Sequence, residues 1–134
     1  MKKFVAVMIF AFVAAFSVSI CSAYDYDSDP NYKFVTTQNG MWYLYLPSVD
    51  VQEYTPPHYQ ITGDMVHVEG TYNKETWRSM TIRYNWYTKE TYHRNDSGNW
   101  EKDYVNGDSM ASTRARRFAD ALFRAAYNMD FYGY

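Results

Sequence analysis

The sequence predicts an α+β fold, an antiparallel β-sheet of five or six strands with one C-terminal amphipathic helix packed on one face. Three stretches carry that prediction. From Trp77 to Tyr87 the residues alternate, with Met80, Ile82, Tyr84 and Trp86 on one side and Ser79, Thr81, Arg83 and Asn85 on the other. That is the period of two a half-buried strand needs. Asn39-Gly40 separates two aromatic-rich extended runs and suits the positive φ that both centres of a two-residue hairpin turn adopt. Ala111, Ala115, Phe118, Leu122, Ala126 and Met129 recur at spacings of three and four, forming one apolar helical stripe.

Taken in order, the chain opens with Lys2 and Lys3, an apolar run from Phe4 to Ile20, and Cys21-Ser22-Ala23. A short basic start, an apolar core and small residues at the cleavage positions predict a secretory signal peptide over residues 1–23. The run is shorter than the roughly 20 residues a spanning helix needs. No membrane span is therefore expected after cleavage. Acylation of Cys21 is disfavoured because Ile20, not a small residue, precedes it. Cleavage after Ala23 removes the single cysteine, and with it disulfides, thiolate metal sites and a cysteine nucleophile. It also removes two of 13 basic residues and none of the 15 acidic ones, taking the formal charge from −2 to −4. An acidic balance argues against nucleic acid as a partner.

Residues 24–32 are polar, acidic and contain Pro30, which predicts a flexible lead before a single domain over 33–134. A two-residue turn at Asn39-Gly40 would set Thr37 opposite Trp42, Val35 opposite Leu44 and Phe34 opposite Tyr45. Pro47-Ser48 is expected to interrupt the second strand, leaving Val49–Tyr54 as a short edge segment. Pro56-Pro57 cannot donate ladder hydrogen bonds. A long strand follows from His58 to Glu69, with a bulge at Gly63-Asp64. The turn at Gly70–Asn73 then pairs it with the strand beginning at Trp77. A strand to Arg94, a turn over Asn95–Asn99 and a strand over Trp100–Tyr104 complete the sheet. The helix is expected from about Ser109 to Asn128, with small alanines at one end of its stripe letting it lie close to the sheet.

Chemistry is sparse. There is no phosphate-binding glycine loop, no nucleophile elbow and no zinc-binding helix motif. His58, His67 and His93 are far apart in sequence and lack chelating spacing, so no metal or other cofactor and no catalytic residue is expected. Binding residues are better supported. An antiparallel sheet with one helix leaves a face open, and alternation turns Trp77, Arg83, Asn85 and Tyr87 onto it. Aromatics interleaved with arginine and amides are enriched at recognition surfaces. Arg114, Arg116 and Arg117 on the helix form a second, basic candidate.

The order of parts also resembles a known family. Trp42-Tyr43-Leu44-Tyr45 followed by Pro47-Ser48-Val49 is similar to the aromatic strand and Ser-Ile/Val step of the surface-adhesin protein E-like family of small exported bacterial proteins. Ala119 to Tyr134, with Phe123, Tyr127 and Phe131-Tyr132-Gly133, resembles that family's helix and tail. Tyr45 stands where members often carry Asp, and the type member's cysteine pair is missing. The resemblance implies the fold, a location in the periplasm, at the cell surface or secreted, and a binding role rather than an enzymatic one. The expected partner is a protein or an envelope or host macromolecule, or a second copy of the chain. The alternative expectation is a small enzyme, or a metal or haem carrier, using one of the three histidines.

Overall fold

The computed structural model describes residues 24–133; the predicted signal peptide over 1–23 lies outside the described residues. Six strands run in order: β1 (Tyr32–Thr37), β2 (Met41–Thr55), β3 (His58–Glu69), β4 (Lys74–Asn85), β5 (Glu90–Arg94) and β6 (Trp100–Lys102), followed by helix α1 (Met110–Tyr127). Each strand pairs antiparallel with the next, giving one sheet in sequence order. The fold is α+β, as the three stretches predict. Among the described residues no helix is long and apolar enough to cross a membrane.

The centre of the sheet is the β3–β4 ladder, continuous from His58↔Asn85 to Glu69↔Lys74. Its turn is the expected Gly70–Asn73, with positive φ at both of those residues. Met80, Ile82, Tyr84 and Trp86 face the helix, joining Leu44, Ile61, Met65, Phe118, Leu122 and Phe123 in the main core. The helix begins at Ser109, whose side chain accepts from the Ser112 N–H, and ends at Asn128 in the left-handed conformation. Both are residue types suited to those caps.

Four details of the strands differ from the sequence expectations. The first hairpin closes with Thr37 opposite Met41, and Val35 is an extra residue between the Phe34↔Tyr43 and Thr36↔Trp42 pairs. Positive φ does fall on Asn39 and Gly40. With Thr37 opposite Met41 the loop holds three residues, Gln38 to Gly40, rather than two, and the bulge, which buries Val35 and Thr36 in succession, shifts the register by one residue more. Pro47-Ser48 does not end β2. The strand bulges there and resumes at Asp50↔Thr62, its missing proline donor offset by Ser48, which accepts from the Asp64 N–H at 2.7 Å and donates to the Tyr45 carbonyl at 2.6 Å. The bulge expected at Gly63-Asp64 therefore sits on the opposite strand. β4 stops at Asn85, because its side-chain oxygen accepts from the backbone N–H of Tyr87 and Thr88 and turns the chain.

Gly63 has a different task. A Cβ there would lie 2.6 Å from Leu122 Cδ2 and 3.1 Å from Leu44 Cδ1, so the missing side chain lets helix and sheet approach closely here. The alanines expected to allow that approach are elsewhere: Ala111 is exposed and Ala115 half-buried beside a cleft.

The lead over residues 24–32 is not loose. Tyr26 is only 6% exposed and packs with Tyr43 and Val66 on the side of the sheet away from the helix. Its hydroxyl bonds to Glu75, and the Tyr43 hydroxyl reaches Asp27 at 3.1 Å. Aromatic burial outweighs the polarity of the intervening aspartates, which sit at the rim.

Candidate binding surfaces

The sheet face opposite the helix is built by the even residues of β3 and the odd residues of β4. At the end covered by the lead, Trp77 is 47% exposed. Its ring centroid lies 5.9 Å from that of Tyr45 and 6.2 Å from that of Tyr32. Tyr24 continues the cluster by packing on Tyr26 and Tyr32 at 4.8 and 5.9 Å, and Phe34 by packing edge-on to Tyr43 at 5.9 Å. Carboxylates rim the patch. Tyr24 donates to Asp29, Tyr26 to Glu75 and Tyr43 to Asp27. The bond from Tyr24 holds the Asp29 carboxyl below its ordinary value, while burial and then the bond to Glu75 push the Tyr26 hydroxyl up. These three hydroxyls are thus engaged in holding their rings, leaving aromatic surface outward.

Arg83 belongs to the other end of the same face, about 20 Å along the strand from Trp77 at the rise of an extended chain. Its guanidinium lies 4.0 Å over the Trp100 ring, and its Nε donates to Gln60 at 2.9 Å. Arg94 lies over the same ring at 5.0 Å. Asn85 is occupied by the turn, and Tyr87, 82% exposed, stands on that turn rather than on the sheet. The four face residues therefore do not form one site. Trp77 has an aromatic surround, Arg83 a cation–π stack, and Asn85 a structural duty.

The helix arginines also separate. Arg116 donates to the carbonyls of Val105 and Gly107 and pins the segment entering the helix. Arg117 lies beside Lys33, Phe34 and Leu46. Arg114 lines a third place, a cleft of about 650 Å³ between the first half of α1 and strands β4 to β6. Of the histidines, His67 stacks on Trp42 with centroids 4.2 Å apart, His58 opens β3, and His93 lies on the cleft wall. His93 Nδ1 is 2.6 Å from Asp103 Oδ1, and Nε2 is 3.4 Å from Glu101 Oε2. Burial pushes the Asp103 carboxyl up, opposed by its bond to His93. Among the described residues no three His, Cys, Asp or Glu side chains gather as a metal site.

The sequence reading missed the lead's tyrosines because their aspartate neighbours looked solvated, and it missed the cleft because its walls come from β4, β5, β6 and α1. Compared with protein-family models, with curated proteins and with solved structures, the chain matches none.

Proposed function

We propose that this chain is an exported, non-enzymatic envelope or secreted protein that binds a protein partner through the Trp77 end of its open sheet face. The observation that carries the reading is the exposed aromatic patch of Trp77, Tyr24 and Phe34, backed by Tyr32 and Tyr45 and rimmed by Asp25, Asp27, Asp29 and Glu75. Pre-ordered aromatic rings bury much area at small entropic cost, which is how hot spots arise. The acidic rim favours a partner presenting lysine or arginine to the rings. The adhesin-family resemblance points the same way. Trp77→Ala, with its fold checked by far-UV circular dichroism, should lose capture of the partner from envelope or host extracts, whereas Arg83→Ala and Arg117→Ala retain it. Unchanged capture by the Trp77 variant overturns the assignment.

A second reading, a small enzyme or a metal or haem carrier, has one feature in its favour: His93 held between Asp103 and Glu101 at the edge of a cleft. A stoichiometric metal or a Soret band in the purified protein would put this reading first.

A further inference from the structure

We propose that the cleft under the first half of α1 is a binding site for an amphipathic organic anion, one with an apolar body and a carboxylate or similar head. This inference stands independently of the macromolecular partner at Trp77. Trp42, Met80 and Ile82 from the sheet and Ala115 and Phe118 from the helix give the cleft an apolar lining. Its volume, about 650 Å³, lies within the roughly 300–1,000 Å³ of ligand pockets. The cause is legible in the helix: where α1 presents alanine to the sheet the space stays open, and where it presents Leu122 to Gly63 the layers touch.

The charges select the ligand's head. Arg78 comes from β4 and Arg114 from α1, so the two guanidiniums reach the cleft from opposite layers. Among the described residues, neither is matched by a carboxylate within ion-pair distance. The acids of the cleft are already engaged. Asp103 is held by His93 at 2.6 Å, and Glu101 by Asn95 Nδ2 at 2.7 Å and by His93 at 3.4 Å. Lys102 is taken by Glu90 at 3.0 Å. The guanidiniums of Arg78 and Arg114 are thus the cations of the cleft lining without a carboxylate partner, beside an apolar trough. Guanidinium is the cation best suited to a planar carboxylate. A neutral or cationic amphiphile of the same length would gain the trough and lose the head contact.

The test is calorimetric titration of the purified protein with decanoate below its micellar range, beside decyltrimethylammonium of equal chain length. Saturable one-to-one binding of decanoate alone is expected. Arg78→Ala and Arg114→Ala, both at exposed positions, should each weaken it about tenfold or more. Ala115→Leu, which fills the trough, should abolish it while the melting temperature stays level or rises, so lost binding cannot be lost folding. Absence of saturable decanoate binding overturns the proposal. So does binding that survives both the paired arginine removal and Ala115→Leu, or equal binding of the cationic amphiphile.

Discussion

At the scale of single residues, two positions decide how closely the parts of this molecule approach one another. Gly63 lets Leu122 reach the sheet, and both neighbours of its missing Cβ are fully buried leucines with nowhere to move. Gly63→Ala should therefore cost about 1–3 kcal/mol through overpacking. Combining it with Leu122→Ala should recover part of that loss in denaturant melts; strictly additive losses would place the clash elsewhere. Asp120, 5% exposed, accepts from the Phe131 and Tyr132 N–H through Oδ1 at 3.0 and 2.7 Å and from the Gly133 N–H through Oδ2 at 3.2 Å. Asp120→Ala strands three tail donors and should cost about 1–3 kcal/mol, with a changed Trp86 emission because that ring packs on Phe131. Neither role was visible in the sequence. A glycine in a strand reads as a bulge, and Asp120 four residues after Arg116 reads as half of an ion pair along the helix, since the tail donors it also accepts from follow the helix in no regular spacing.

At the scale of elements, periodicity was a sufficient guide. The alternation in β4 correctly separated the helix-facing residues from the open face, and the apolar stripe at spacings of three and four located α1. Phe118 and Leu122 share one buried cluster with Met80, Ile82 and Tyr84. Leu122→Ala should cost about 2–5 kcal/mol, and a loss well under 1 kcal/mol would mean the helix does not depend on that contact. What periodicity missed was register, because a three-residue loop and then an extra residue at Val35 each shift the pairing of the first hairpin by one. The helix end carries its own pH dependence. Arg124 donates to both Asp130 oxygens at 2.7 Å and holds that carboxyl below its ordinary 3.8. A depressed folded pKa gives stability that is present above the unfolded value and lost as pH falls through the folded one. Because Arg124 is largely exposed, Asp130→Asn should cost only about 0.2–1 kcal/mol at pH 7. The difference should shrink as pH falls below 3.8, and a cost that is the same at every pH would point to packing instead.

At the scale of the whole molecule, the sheet is a partition with different business on each side. The helix side holds the main core and the arginine-bordered cleft. The other side is sealed at one end by the N-terminal tyrosines and exposes Trp77 beside them. Sequence alternation placed Trp77 on that side correctly, and the six-residue spacing along the same strand already sets Arg83 about 20 Å away; what it could not show is the tyrosine cluster that gathers around Trp77 alone. The most direct test of Trp77 as the docking centre is site-specific photo-crosslinking in cells, with a benzoylphenylalanine placed singly at position 77, 83 or 117 of the full chain. A discrete protein adduct from position 77, absent from 83 and 117, is the predicted result. Adducts from 83 or 117 with none from 77 would contradict it.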